Sequence, residues 1–313
     1  MIIKTTQKQN NLKLDKFLSS KFTNSNIGDI RKFIKNGEIK INKKKIKTNY
    51  LLSTNDTIEF SDFVEKILAN PDRKITINNK KISENYIKMI IKSIIYEDKN
   101  LLVINKPYGI SVQGGSGIKI SIDDIIKRIS NGKEKYRLVH RLDQYTTGVL
   151  LIAKNIEYAN ELKSIFKTKI NIKKRYIAVV YGKIKNKLGI IDYPLLKKYE
   201  NNMEKVYVDK ILGKEAITKY KVQKYSEKYN ISLVEAEILT GRTHQIRVHL
   251  KEIGNPIIGD YKYGKLKNNE VKISNKLQLH SFHTELKIFG KHYVFEAPIP
   301  EHMKLVVYKA FSG

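Results

Sequence analysis

The run ISLVEAEIL, residues 231–239, sets Val234, Ala236 and Ile238 between Glu235 and Glu237. Alternation of this kind belongs to a strand with one face on a core and one face in water. The run GVLLIAK, residues 148–154, does not alternate and is apolar almost throughout. A strand of that composition is covered on both faces. A chain that carries both kinds is expected to build a sheet with buried and half-exposed strands, and that restricts the folds open to it more than any other feature.

The rest of the second half repeats the theme. IIYEDKNLLVINKP (94–107) predicts two strands about an Asp-Lys-Asn turn, and RYIAVVYG (175–182), LQLHSFHTELKIF (277–289) and HYVFEAPIP (292–300) predict further strands. Between them lie helical patterns. Ile122, Ile125, Ile126 and Ile129 share one face, and Ala159, Leu162, Ile165 and Phe166 mark a helix beginning at Asn155. Many strands with interspersed helices predict an α+β domain around a mostly antiparallel, mixed sheet, spanning residues 93–313.

Residues 12–60 read as a separate small domain. Leu14, Phe17, Leu18 and Phe22 recur at helical spacing, as do Ile27, Ile30, Phe33 and Ile34, with Gly37 where the second helix would stop. EIKIN (38–42) and TIEF (57–60) predict strands around the basic turn KKKIKTN (43–49). Residues 1–50 hold 13 basic and 3 acidic side chains, a local charge of +10. Residues 61–92, with NPDRK and NNKK, are expected to be a linker that includes a short helix at 84–92. The first folded pattern begins near Leu12, which leaves little room for a leading targeting segment.

The whole chain carries 60 Lys+Arg against 31 Asp+Glu, a net charge of +29. Such an excess suits a polyanionic partner, nucleic acid first and an anionic membrane second. The abundance of Lys, Asn and Ile points to AT-rich coding, so part of the lysine is drift, yet the field exists whatever its origin. Cysteine is absent, which excludes disulfides and thiolate metal sites. No run approaches the ~20 apolar residues of a membrane span, and a cytoplasmic protein is expected.

Several motifs fail on inspection. QGGSG (113–117) lacks the Gly-Lys-Ser/Thr that a phosphate loop needs, since Ile118 follows Gly117. HRLD (140–143) lacks the spacing of a kinase catalytic loop. His244 and His249, read on one helix, are five apart and point about 140° from each other, unlike the paired histidines of a metalloprotease. A metal site at these histidines is not expected. That helix is instead expected to aim Arg242 and Arg247 at an anion or a buried acid. Asp143 remains. On its own it reads as a structural ion pair, a metal ligand or a nucleophile.

At these residues the chain resembles the RluA/RluC/RluD family of pseudouridine synthases over nearly its whole length. HRLDQYTTGVLLIAK (140–154) is similar to the family's catalytic motif, INKPYGISVQGG (104–115) to its first motif, and KRYIAVVYG (174–182) to the segment with its invariant tyrosine. TGRTHQIRVHL (240–250) with GNPIIGD (254–260) resembles the third motif, and LQLHSFHTELKI (277–288) the C-terminal strand. Thr147 stands where Ser is usual, and Ser281 where Ala is usual. Residues 12–60 resemble the small RNA-binding module named after ribosomal protein S-four.

The resemblance implies a pseudouridine synthase catalytic domain that isomerises uridine without a cofactor. It implies Asp143 as the catalytic carboxylate, Tyr176 stacking on the uracil and assisting proton transfer, and Arg247 keeping Asp143 ionised, with Arg242 second for that role. It further implies substrate contacts from His140 and Arg141, the arginine taking the place of a flipped-out nucleotide, and pocket walls from Leu142 and Ile246. SVQGGSG, the length and the N-terminal module resemble the RluC-like branch. The implied substrate is 23S ribosomal RNA near the peptidyl-transferase centre, free or in a large-subunit assembly intermediate, acted on by a monomer. An RluD-like synthase and a non-catalytic ribosome-assembly factor are the alternatives.

Overall fold

Two units divide the chain, Met1–Lys80 and Lys81–Gly313. The computed structural model describes residues 1–22, 27–68, 82–115, 118–130, 136–200, 203–264 and 273–311. Residues 69–81 of the expected linker and residues 116–117 of QGGSG lie outside the described residues.

The N-terminal unit contains β1 (Ile2–Lys4), α1 (Leu14–Lys21), α2 (Ile27–Asn36), β2 (Ile39–Ile41), β3 (Thr57–Phe60) and α3 (Asp62–Leu68). Its antiparallel sheet has the order β1-β3-β2. The helical stripes predicted from sequence meet here: Leu14 and Leu18 of α1 pack with Ile30 and Ile34 of α2 over Ile39, Ile41 and Ile58. Gly37, at φ +81°, ends α2 in the left-handed region where a side chain is strained. The basic turn is pinned from beneath by Asp56, which accepts from Asn42 Nδ2 at 2.9 Å, Tyr50 OH at 3.0 Å and Ser53 N at 2.8 Å. Lys40, Lys43, Lys44, Lys45 and Lys47 are exposed around it. The folded pattern begins earlier than Leu12, because β1 completes the sheet. Three residues are too few to show a period, and only pairing with β3 makes them a strand.

The C-terminal unit runs α4 (Glu84–Lys92), β4 (Ile94–Glu97), β5 (Leu101–Lys106), α5 (Ile122–Ile129), β6 (Arg137–Leu138), β7 (Thr147–Ala153), α6 (Ile156–Thr168) and β8 (Ile172–Tyr181). It continues with β9 (Leu188–Asp192), β10 (Leu195–Glu200), β11 (Met203–Val208), β12 (Ile217–Ser226), β13 (Ile231–Ile238), α7 (Gln245–Glu252), β14 (Leu279–Ile288), β15 (Lys291–Glu296) and α8 (Glu301–Phe311). One mixed sheet has the path β4-β5-β7-β14-β8-β13-β12-β9, with β15 added on β14 and β6 on β7, while β10 and β11 form a separate hairpin. Among the described strands, β7 and β14 make the one parallel pair. No helix among the described residues is long and apolar enough to cross a membrane.

Local chemistry sets the ends of these elements. Asp98 accepts from the amides of Asn100 and Leu101 and turns β4 into β5. Ser121 and Asp124 form a reciprocal capping box at the start of α5, and Asn155 caps α6 through Tyr158 N. The buried run β7 is covered on both faces, as its composition requires. Leu150 and Ile152 join one core with α4 and α5, while Val149, Leu151 and Ala153 join another with α6. Ile90 of α4 is fully buried in the first of these cores, so a cut at Ser93 would strip away part of this unit.

Candidate active site

Asp143 sits on the irregular segment between β6 and β7, and that segment is fastened on both sides. On the near side, Gln144 O accepts from Lys106 Nζ at 2.9 Å and from Gly109 N at 3.1 Å, while Gln144 Nε2 donates to Gly109 O at 3.0 Å. Lys106 is fully buried at the end of β5, and its ammonium also donates to Pro107 O. Burial pulls its pKa down to about 7, against the pull of the Asp143 charge. On the far side the parallel pair takes over. Gly148, at φ +111°, lies so close to Ser281 that an added Cβ would sit 2.1 Å from the Ser281 carbonyl oxygen. Glycine is therefore required where β7 begins. One residue earlier, Thr147 Oγ1 donates to His280 Nδ1 at 2.8 Å, and His280 Nε2 donates in turn to Ala297 O at 3.0 Å.

The carboxylate, about 20% exposed, faces α7. Arg247 Nη1 donates to Asp143 Oδ2 at 3.1 Å. The same guanidinium is gripped from behind by Asp260, with Nε at 2.7 Å and Nη2 at 2.9 Å. Asp260 is itself held by the amides of Lys262 and Tyr263. Arg247 thus presents one remaining arm to Asp143 in a fixed direction. Burial alone would raise the Asp143 pKa, but His244, Arg247 and Arg141 outweigh it and hold the carboxyl below its usual range. Burial opposes the charge on Arg247 too, and its two carboxylate partners overcome this and raise its pKa.

His244 is the third party. It caps α7 from outside the helix, in the left-handed region at φ +54°. Its Nδ1 lies 2.7 Å from the Tyr263 hydroxyl, which already accepts from Val206 N at 3.0 Å on the β10–β11 hairpin. The hydroxyl and Nδ1 share one hydrogen bond, and the other ring nitrogen, Nε2, lies 3.8 Å from Asp143 Oδ2. Burial lowers the His244 pKa to about 4, with Arg247 and Lys262 adding to the effect against Asp143 and Asp260. At neutral pH the ring is uncharged.

These groups open onto a cavity of about 270 Å³. All eight residues nominated from sequence line it: Asp143, Tyr176, Arg247, His140, Arg141, Leu142, Arg242 and Ile246. They come from the β6–β7 segment, β8, α7 and the turn before α7, separated by up to about a hundred residues of chain. Tyr176, Leu142 and Ile246 are buried apolar walls, and Arg141 is exposed at the rim. His140 stacks on Phe166 with ring centres 4.3 Å apart, and its Nε2 accepts from Leu151 N at 2.8 Å.

Two expectations from the helical reading change. Arg242 and His244 precede α7 instead of lying on it, because the helix starts at Gln245. Arg242 is exposed and donates its Nε to Glu215 O at 2.8 Å, while His249, one turn into α7, is buried against Thr218 and Tyr193 O. Sequence reasoning missed Asp260, His244, Lys106 and Tyr263 as members of the site. Asp260 lies within the quoted GNPIIGD and Lys106 within INKPYGISVQGG, so the signal was proximity to a motif; nothing in sequence indicated that Asp260 would meet Arg247.

Comparisons with known proteins bear on this geometry. A family model described as RNA pseudouridylate synthase matches residues 100–252, and one described as S4 domain matches residues 12–58. The chain is 36% identical over 302 residues to a protein of Rickettsia bellii named ribosomal large subunit pseudouridine synthase C, covering 94% of this chain and 96% of that one. It is 37% identical over 288 residues to a protein of the same name from Buchnera aphidicola subsp. Acyrthosiphon pisum, covering 90% and 87%. Among solved structures it is similar to human RNA pseudouridylate synthase domain containing 4, with a TM-score of 0.60 at 26% identity over 72% of this chain and 95% of that one. An Asp–Arg pair at the mouth of a cavity in a mixed sheet, preceded by an S4 domain, is thus found in a chain that belongs to the RNA pseudouridylate synthase family.

Proposed function

We propose that the chain converts specific uridines of large-subunit ribosomal RNA to pseudouridine, with Asp143 as the catalytic carboxylate. The observation that carries this reading is the Asp143–Arg247 contact at 3.1 Å inside a cavity lined by the other nominated residues. The names of the relatives support the RNA class.

The reaction breaks the bond from ribose C1′ to uracil N1 and makes one from C1′ to C5; the proton on C5 is lost and N1 gains one. It is redox-neutral, and the substrate supplies every atom of the product, so this reading needs no cofactor. The target base leaves its stack for the cavity, at a cost of roughly a few kcal/mol, and Arg141 at the rim fills the gap. Leu142 and Ile246 wall the base, Tyr176 stacks on it, and the Tyr176 hydroxyl assists proton transfer. His140 and Arg242 complete the substrate contacts. Asp143 attacks the ribose or the base, or takes a ribose proton; each route needs it ionised, and Arg247 ensures that at neutral pH. The exposed lysines of the N-terminal unit supply phosphate contacts that position the RNA without reading it.

The targets in this reading are those of the RluC-like branch, near the peptidyl-transferase centre of 23S RNA, and the enzyme works as a cytoplasmic monomer. A pseudouridine map of ribosomal RNA tests it, by carbodiimide treatment and primed reverse transcription with and without the protein. Stops that appear only with the protein, near the peptidyl-transferase centre, are the expected result. Stops elsewhere in large-subunit RNA would move it to the RluD-like branch. No protein-dependent stop, with RNA binding retained, would make it a non-catalytic assembly factor.

A further inference from the structure

We propose that Lys169, Lys174 and Arg242 form a phosphate-binding subsite within the active-site cavity, which takes the backbone phosphate beside the flipped-out uridine. The proposal rests on the reading above for the identity of its ligand, though not for the existence of the site.

All three cations line the same cavity as Asp143. Lys174 lies on β8, two residues before Tyr176, and only 7% of it is exposed. Its Nζ is 5.5 Å from the ring centres of both Phe166 and Tyr176. Lys169 follows α6 in the left-handed region at φ +64°, and its Nζ is 5.6 Å from the same Phe166 ring. Gly241 leaves it room: a Cβ there would lie 3.0 Å from Lys169 Nζ. Arg242 adjoins that glycine, and its bond from Nε to Glu215 O fixes the guanidinium while leaving both terminal nitrogens for a ligand.

The contrast with Arg247 in the same cavity carries the inference. Arg247, comparably buried, has carboxylates from Asp143 and Asp260. Among the described residues, Lys169 and Lys174 have no carboxylate within 4.0 Å. Glu237 lines a smaller neighbouring cavity with both lysines but pairs with neither. A buried cation without a carboxylate partner is costly, and the rings of Phe166 and Tyr176 offset only part of that cost at Lys174 and the half-buried Lys169. The cost shows at Lys169, whose pKa is pulled down to about 8 by burial, with Lys174 and Arg242 adding to it.

An anion satisfies this arrangement. Uracil and ribose are neutral, and the phosphodiester is the one anionic group RNA brings. The closeness of Lys174 to Tyr176 assigns the phosphate to the flipped nucleotide or its immediate neighbour, not to a distant stretch of backbone.

The test titrates the full chain with uridine 3′,5′-bisphosphate and with uridine, by calorimetry. The unmutated protein is expected to bind the bisphosphate at least ten-fold more tightly, and K169Q/K174Q to lose that preference. K185Q/K187Q, on an exposed loop, removes the same charge and is expected to keep it, which separates a site from the general field of the chain. Equal affinities in the unmutated protein, or a preference that survives K169Q/K174Q, overturns the proposal. So does an equal loss for uridine and bisphosphate, which would mean that the lysines read the base. Melting of Lys174→Met adds a check without ligand. A subsite lysine waiting for its anion predicts an unchanged or higher Tm, whereas a lower one would make Lys174 a structural cation and overturn its part. Binding is read here without turnover. A bisphosphate preference with no pseudouridine formed would sink the proposed reaction and leave the subsite standing.

Discussion

The two units bury charge for different ends. In the N-terminal unit the buried acids hold loops and helices: Asp56 ties the basic turn, and Asp15 pairs with Arg31 at 2.7 Å. The lysines themselves stay outside, on a scaffold whose core is apolar. The C-terminal unit does the reverse. It buries Lys106, Arg247, Asp260, His249, His280 and Lys174 among its strands and α7. All 7 histidines of the chain belong to it. A surface that attracts a polyanion needs only a stable platform, since the field works through water. A carboxylate that must act as nucleophile or base needs a fixed cation and a dry wall, and both must be supported by a further layer of polar contacts.

The largest expected effect breaks the comparison at its centre. Asp143→Asn removes the charge and the carboxylate oxygen that the proposed reaction needs, and turnover is expected to fall by ~10⁴-fold or more. Stability should drop by only about 1 kcal/mol, because Asp260 still holds Arg247 through two nitrogens. Melting and a pseudouridine assay on one preparation decide this. An early-melting variant that still modifies RNA would make Asp143 a structural residue.

Asp260→Ala tests the supporting layer. It strips Arg247 of its two closest bonds, and the expected cost is about 3–5 kcal/mol, the penalty of a buried charge left poorly paired. Denaturant unfolding measures it. A loss below about 1 kcal/mol would mean that Asp143 alone suffices to hold Arg247.

Acid should separate the units without any mutation. Burial holds the pKa values of His244 and His280 at about 4, against an ordinary 6.5. Between those values the unfolded chain takes up protons that the folded one refuses, so stability falls as pH falls through that window. Each group is expected to cost on the order of 2 kcal/mol at pH 5. Hydrogen exchange on the full chain at pH 7 and 5 should show the sheet around His280 losing protection, with no such loss around Ile30 and Ile58, where no histidine lies. Equal loss in both units would refute this origin.

Tyr176→Phe keeps the apolar wall and removes the hydroxyl. Turnover is expected to drop by roughly 10²-fold, the scale of general acid–base help, with RNA affinity nearly unchanged. Full turnover would leave Tyr176 as a stacking surface alone. The smallest effect belongs to the N-terminal unit. Lys43→Gln, Lys44→Gln and Lys45→Gln together should weaken RNA binding several-fold and flatten its salt dependence by up to about 2 in slope. The loss should appear in KM and not in kcat. A kcat loss would mean that these lysines act on the chemistry.

Legibility in sequence followed packing. Elements that alternate cleanly or run apolar, such as β7, β13 and α5, were evident because their faces meet a core. The stretch from Leu188 to Ser226 gave no reading, although it forms β9, β10, β11 and β12. β10 and β12 keep much of their surface in water, so polar residues occupy both faces and the period of two is diluted, while the short β9 exposes the apolar Leu188 and Ile190. β1 was invisible for a different reason, its length.

By itself the sequence determined the class of fold, which depends on local periods, and through short contiguous motifs it singled out Asp143 as the candidate acid. Only the tertiary structure decided which further groups support the acid and its arginine. Asp260, His244 and Lys174 lie far from Asp143 along the chain and share no pattern with it. They meet because β7 pairs parallel to β14 and α7 packs across the opening, and proximity in space, not spacing in sequence, sets an ion pair and a pKa.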